Sequence, residues 1–484
     1  MDFLNNPDVS GATGAGEMST GDLAELQKSL AAGYGSDMAS LQGGSALRIQ
    51  SLDNVLQATV QDNQHFVLFN KLAKPKATAV LDEWTEQKSI GGFLGDSFND
   101  QDGAAEETNG EYQRMVGKVK YMTTYRKIPI VLQAQNNIVD ATALETTNGT
   151  KQLLSSIEFS LFEGDDLVLP KSFPGIRRQI EDLGSADHII DMAGDPLDDV
   201  GPIMTAAQTV FGFGNFGRST DIFLPPSVQT DLNNDLDPAF RVALDNSPQS
   251  IVRGAHVRGI QTSWGAIATQ NDVFIRDEKM KVPFELRNAT HAAQAVAQNG
   301  IKPAAFTAAA GAGAADSKWG AAHAGAYVYF VTGINHKGES TALSAGSAVT
   351  VAAGQQVTLT ITRSAGQAET GYVIYRGRKD GTAALSDVRE MVRVPVAGAT
   401  TVYIDKNREL PGSTSSFVLN LSASDHAIAW RQFLPMMKIP MAAVNSPIVP
   451  WLQMICGYLR ITKRNQHVVI KNIVPKGAKW KPFA

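Results

Sequence analysis

The spacing nearest to a chemical motif is GFGNFG, which sets Gly212, Gly214 and Gly217 at the intervals of a dinucleotide-binding loop. Such a loop works when it follows a strand and opens a helix, because the pyrophosphate then meets the free N–H groups of the helix N-terminus. Here a helical pattern (GPIMTAAQTVF) comes first and a strand pattern (STDIFL) second. The three glycines are therefore read as a helix-ending turn. No P-loop lysine motif and no strand-to-helix GxSxG elbow occur.

Metal chemistry has as little to stand on. The eight histidines (His65, His188, His256, His291, His323, His336, His426, His467) are scattered, none is paired at i and i+4 beside a Glu, and Cys456 has no second cysteine to share a metal with. Asp165 with Asp166 and Asp198 with Asp199 would serve as general acid and base only if burial drove their pKa values apart. Turn and cap roles suit them better. No catalytic, cofactor-binding or metal-binding residue is assigned, and no enzymatic activity is expected.

Bulk properties narrow the field further. A chain of 484 residues calls for a large domain plus a smaller one, and 43% hydrophobic with 19% charged residues is ordinary for a folded protein. A net charge of -5 argues against gripping a phosphate backbone. The first residues lack a basic region followed by an apolar core, and no stretch reaches about eighteen uninterrupted apolar residues. Neither secretion nor membrane insertion is expected, and the lone Cys456 suits a reducing compartment.

Several elements look unable to stand alone. A Gly/Ala/Ser/Thr-rich leader carries Leu23, Leu26 and Leu30 at helical spacing before Gly33. From Lys76 to Gln133, two alternating segments (ATAVLDEWTEQKSI and YQRMVGKVKYMTTYRKIPIVLQA) flank an acidic, glycine-rich stretch. That pattern predicts a long β-hairpin, which is marginal in water unless its faces are covered. Leu153, Leu154, Ile157, Leu161 and Phe162 then mark one face of a long helix ending at Gly164, with Asn148 and Gly149 as a candidate break.

Beyond it, helical signals (GPIMTAAQTVF, PPSVQTDLNNDL) alternate with strand signals (STDIFL, NDVFIRD) in a mixed α+β region. Small residues dominate 289–325, which reads as a linker or adaptable loop. Short strands at regular spacing (AYVYFVTGIN, SAVTVAA, QQVTLTITR, GYVIYRGR, REMVRVPV, TTVYID) then predict a small β-sandwich. Its tyrosines Tyr327, Tyr329, Tyr372, Tyr375 and Tyr403 are read as packing residues, not as a sugar platform. From Arg431 onward there is no Asp or Glu, while Lys438, Arg460, Lys463, Arg464, Lys471, Lys476, Lys479 and Lys481 accumulate. That asymmetry asks for an acidic partner.

Taken in this order, the arm, acidic-tipped hairpin, long helix ending in LFEGD, mixed region and basic strand-rich tail resemble a tailed-bacteriophage major capsid protein of the Hong Kong 97-like fold. The segments GYVIYRGRKDG and GATTVYIDKN resemble an inserted immunoglobulin-like or fibronectin type III-like domain. The resemblance implies an α+β fold with an N-terminal arm (1–75), an extended loop (76–133), a spine helix and peripheral domain (134–200), an axial domain (201–289), the inserted sandwich (290–420) and closing strands (421–484). It implies a homo-oligomer of hexamers and pentamers, an icosahedral shell enclosing double-stranded DNA without sequence-specific binding, and no cofactor. Portal, scaffold and decoration proteins would be its partners, the virion its location and the host cytoplasm its place of assembly. An encapsulin-type compartment and an adhesin or carbohydrate-binding protein remain open as alternatives.

Contacts between subunits are expected from Trp84, Tyr112, Tyr125 and Arg126 on the hairpin strands, because aromatics and Arg dominate interface energy. The acids Asp96, Asp100, Asp102, Glu106, Glu107 and Glu111 crowd its tip. They are expected to meet the basic tail, or a similarly charged patch, of a neighbour.

Overall fold

The computed structural model describes residues 65–92, 98–99, 101, 103, 107–134, 140–234, 259–277, 299–422, 427–443 and 446–483. The leader with Leu23, Leu26 and Leu30, and the tip residues Asp96, Asp100, Asp102 and Glu106, lie outside the described residues.

Among the described residues the first element is a short helix, α1 (Val67–Lys71), which buries Leu68 and Phe69. Strands β1 (Leu81–Ser89) and β2 (Glu111–Lys118) form an antiparallel pair running from Leu81 opposite Lys118 to Ser89 opposite Glu111. The expected hairpin is there but shorter than its sequence pattern suggests. At Val119, which is buried and donates its N–H to the Val80 carbonyl at 2.9 Å, the chain leaves the ribbon. The remaining residues become β3 (Lys120–Pro129), in a different sheet, and the single turn α2 (Ile130–Ala134). Alternation specifies a strand but not its partner, so one long segment reads the same as two.

The long helix is α3 (Ala141–Glu163), opened by Asp140, whose carboxylate accepts from the Thr142 and Ala143 N–H groups. Its first half is rich in Thr, Asn and Gly, yet it does not break at Asn148 or Gly149. The hydroxyls of Thr146, Thr147, Thr150, Ser155 and Ser156 each bond the carbonyl four residues back, so they complete the helix instead of competing with it. Gly149 is there for closeness: a β-carbon would sit 1.8 Å from Gln453 Oε1. Past the Gly164 cap, α4 (Ile176–Glu181) packs Ile176 and Ile180 into the same core as Ile157, Leu161 and Phe162.

A second region holds β4 (Ile189–Asp191), α5 (Gly201–Phe211), β5 (Asp221–Leu224), α6 (Pro226–Asn234), β6 (Gly259–Thr262) and β7 (Gly265–Asn271). Gly212 caps α5 and Gly214 sits at φ +90°, so the glycine triplet ends a helix as its context required. The strand expected over NDVFIRD falls one element earlier, on GAIATQN. Asp272 stops it, accepting the Phe274 N–H at 2.8 Å in a turn that sends Phe274 and Ile275 inward.

The sandwich comprises β8 (Ala305–Gly311), β9 (Gly325–Tyr327), β10 (Tyr329–Asn335), β11 (Gly338–Glu339), β12 (Leu343–Ser344), β13 (Val349–Val351), β14 (Gln356–Thr362), β15 (Gly371–Gly377), β16 (Val388–Pro395) and β17 (Thr400–Asp405). One sheet runs β17-β14-β8 and the other β11-β10-β15-β16 with β12 on β10, while β13 pairs with β9. Leu359, Ile361 and Phe306 on one side meet Tyr329, Val331 and Tyr372 on the other. β8 overturns the linker reading of its stretch. AFTAAAG has weak strand propensity, but full antiparallel pairing with β14 and burial of Phe306 outweigh it.

The chain then returns through β18 (Thr414–Leu419), β19 (Ile428–Pro440), β20 (Ile448–Ile461) and β21 (Val468–Ile473). β18 and β21 complete a mixed sheet of order β4-β21-β18-β5-β7-β6. Its period-two alternation serves two cores at once: Phe223 and Phe417 point to Phe162, with ring centroids 5.8 and 5.0 Å away, whereas Ile222 and Val418 pack under Ile203, Val210 and Val228 of α5 and α6. β19 and β20 form a long ribbon that accepts β3 as third strand and rests on α3.

Candidate assembly surfaces

The ribbon β1–β2 is anchored at its base and bare beyond it. Asp82 takes two bonds from Arg431, Nε to Oδ2 at 2.7 Å and Nη2 to Oδ1 at 3.0 Å, while the Tyr458 hydroxyl donates to Oδ2 at 2.6 Å. Burial alone would raise the Asp82 pKa, but these donors and the charges of Arg431 and Arg460 hold it below the usual carboxylate range. Opposite Asp82 stands Gly117, where a β-carbon would lie 2.3 Å from the Tyr458 ring.

Trp84, next along, is half-buried against the main core, with the Arg460 guanidinium 5.6 Å from its ring and its indole N–H on Glu86 at 2.6 Å. Past Trp84 almost every side chain of both strands is exposed, Tyr112 at 65%. A two-stranded sheet with both faces uncovered cannot be self-sufficient in water.

The expected contact residues therefore separate. Tyr112 lies on the bare ribbon, and Glu107 is exposed in the segment that leads into β2. Tyr125 is 51% exposed on the outward face of β3, the face that also carries Tyr121. Trp84 belongs to the root. Arg126 faces the opposite way from Tyr125 and is held by its own chain, bonding Glu145 at 3.0 Å and Gln152 at 2.6 Å on α3.

Acidic partners for much of the basic tail come from the same chain. Arg431 and Arg460 meet Asp82, Lys471 meets Glu409 at 2.5 Å and Lys476 meets Asp198 at 2.7 Å. Distance in sequence conceals this: Asp82 precedes Arg431 by 349 positions.

One cleft of about 520 Å³ is rich in ionisable groups, between the sandwich and the body around Glu163, Arg177, Arg276, Arg393 and Glu409. Its charges are mutually engaged. Arg177 bonds Glu181 at 3.0 Å and Glu409 at 2.7 Å, while Arg276 reaches both Glu163 at 3.4 Å and Glu390 at 2.9 Å. Burial would lower the Arg177 pKa, but Glu163, Glu409 and Glu181 raise it overall. These pairs stitch the sandwich to the body.

Three of the other residues singled out in the sequence, His467, His188 and Asp165, are held by partners within the chain. His467 is fully buried and pushed down to about 3 by desolvation, so it stays neutral and accepts the Asn420 N–H through Nδ1. His188 is fixed by Ser185 and the Asn465 carbonyl. Asp165 caps the Leu167 N–H. Among the described residues no cluster of His, Cys, Asp and Glu could hold a metal, and no helix is long and apolar enough to cross a membrane.

Two buried polar centres escaped the sequence reading. In the sandwich, Arg376 is fully buried between Trp319 and Tyr327, 4.8 and 5.4 Å from their rings, and bonds Asp405 and Asn407 at 2.8 Å each. In the body, Glu158 of α3 accepts the Leu68 N–H at 2.6 Å and the Phe69 N–H at 3.0 Å, beside Asp272. Burial raises Asp272 to about 6, and burial with the nearby Asp272 raises Glu158 well above its usual range. The signal was a single acid inside the apolar run SSIEFSLF.

No family model matches the chain. It is 24% identical over 470 residues, 93% of this chain and 94% of the relative, to a protein of Enterococcus phage phiEF24C that provisionally bears the name major capsid protein. It is 23% identical over 473 residues, 93% of this chain and 95% of the relative, to the major capsid proteins of Staphylococcus phage S25-3 and Staphylococcus phage K. Among solved structures it is remotely similar to the capsid of an empty GTA particle, with a TM-score of 0.44 and 7% identity over 91% of this chain and 100% of that one. It is also remotely similar to the holo-SrpI encapsulin of Synechococcus elongatus PCC 7942, at 0.39 and 10% over 92% and 98%.

Proposed function

We infer that this chain is a tailed-phage major capsid protein, a mixed α+β structural subunit that assembles with its own copies into a head shell. The observation that carries this reading is the match to phage major capsid proteins over 93% of the chain, which takes in hairpin, long helix, sandwich and basic tail alike. The bare β1–β2 ribbon gives it a physical reason, because strands exposed on both faces need a neighbour. The same relatives favour a phage shell over an encapsulin compartment. Burial of Tyr327, Tyr329, Tyr372 and Tyr375 in the sandwich core supports the packing reading of these residues over a sugar platform.

Several finer assignments extend the reading. The ribbon and its acidic tip, including Asp100, Asp102, Glu106 and Glu107, lie over an adjacent subunit, where Tyr112 and Tyr125 supply apolar contact; Trp84 and Arg126 position those strands from behind. Hexamers and pentamers enclose the genome without reading its sequence, the sandwich faces outward, and assembly takes place in the host cytoplasm beside portal, scaffold and decoration proteins.

Negative-stain microscopy of the expressed chain tests the main claim. Closed shells or capsomers are expected. A monodisperse monomer at high concentration would overturn it.

A further inference from the structure

We propose that the turn following α5 is a rigid aromatic knob through which one copy of the chain docks onto another. Phe211, Phe213 and Phe216 are 52%, 83% and 72% exposed. Phe213 and Phe216 stand edge to face at 5.6 Å, and Phe211 lies 6.1 Å from Trp264 in the β6–β7 turn. Val200 and Met204, at the other end of α5, are exposed as well.

This turn is held firmly. Asn215 Nδ2 donates to the Thr209 carbonyl at 2.8 Å, Gly217 N–H to the Val210 carbonyl at 2.9 Å, and Gln466 Nε2 to the Asn215 carbonyl at 3.2 Å. Phe216 is thereby kept at φ 46°, a region that side chains with a β-carbon avoid. A strained residue whose surroundings over-determine it, presenting an apolar ring to solvent, points to a use for that ring.

Chemistry and size select the occupant. GFGNFG contains no ionisable group, which disfavours nucleic acid or an acidic partner. Three phenylalanines expose roughly 400 Å² of apolar surface, whereas a pair of proteins held by one contact buries about 1,200–2,000 Å². The knob is thus too small to hold a separate partner and suits a contact repeated among copies that other surfaces already hold. It rests on the shell reading above and adds to it a specific apolar contact.

The test replaces Phe213 by the photocrosslinking analogue p-benzoylphenylalanine, which keeps an aromatic side chain, and irradiates particles already verified by microscopy. Covalent dimers and higher multimers, with position 213 joined to a peptide of a second copy, are expected. Verified particles whose chains stay monomeric on a denaturing gel, crosslink only internally, or crosslink only to a different protein would overturn the knob while leaving the shell reading intact. If the unsubstituted chain forms no particles, both fall. A second variant, Phe213→Ser with Phe216→Gly, relieves the strain at 216. The monomer should melt no lower than the parent, while the concentration needed for assembly rises about tenfold or more; unchanged assembly would count against the proposal.

Discussion

Asp82 and Arg431 lie 349 positions apart, yet the guanidinium of the second closes a two-pronged bond on the carboxylate of the first, with Nε to Oδ2 at 2.7 Å. This contact ties the root of an otherwise bare ribbon to the strand β19 that returns at the end of the chain. Asp82→Ala would leave Arg431, Arg460 and the Tyr458 hydroxyl without their common acceptor. The expected cost is about 1–3 kcal/mol. Hydrogen exchange should quicken over 81–89 and 111–118; unchanged protection there would show that the ribbon does not depend on this anchor.

The Glu158–Asp272 pair makes stability depend on pH. Asp272 is raised to about 6 and Glu158 is raised too, so the folded state holds protons that the unfolded chain releases near pH 4. The sign follows: this contribution is fully present below about pH 4 and is lost as pH rises through about 6. Glu158→Gln keeps an acceptor for the Leu68 and Phe69 N–H groups and offers an amide donor to Asp272 in place of the carboxyl that titrates. Melting temperatures at acid and neutral pH should differ less in this variant than in the parent. Equal differences would remove the pair as the source.

Arg376→Met would leave Asp405 buried without its counter-charge. Because both residues are almost wholly enclosed, the loss should reach about 3–5 kcal/mol. Adding Asp405→Leu should restore part of it, since the uncompensated charge goes as well. Thermal unfolding of the single and double variants checks this, and a double variant no better than Arg376→Met would mean that packing of the guanidinium dominates.

Trp480 fastens the end of the chain to the sandwich. Its indole donates to the Asp387 carbonyl at 3.0 Å, Arg389 lies 5.3 Å over its ring, and Phe483 stacks on His323 at 4.0 Å. Trp480→Ala should cost about 3–5 kcal/mol and speed proteolysis near residues 379–387. Unaltered cleavage rates would show that the ion pairs around Arg177 and Arg276 suffice to seat the sandwich.

Much of the architecture was legible because its signals are local. Apolar spacing marked α5 residue for residue in GPIMTAAQTVF, Gly164 ended α3, and alternation marked β14, β15 and β17. The sense of GFGNFG also followed from its neighbours. Among the residues expected at contacts, Tyr112 and Tyr125 are exposed and Arg126 is bonded to Glu145 and Gln152.

What a strand pairs with, and which charge meets which, is settled by closure of the chain over hundreds of residues. Composition alone could not divide YQRMVGKVKYMTTYRKIP between two sheets at Val119, turn an alanine-rich stretch into β8, or show that Gly149 makes room for Gln453. Nor could it reveal that Asp82 supplies the acid Arg431 requires. Local pattern encodes periodicity and termination; register, burial of single charges and the fit of one side chain against another exist only once distant segments share a core.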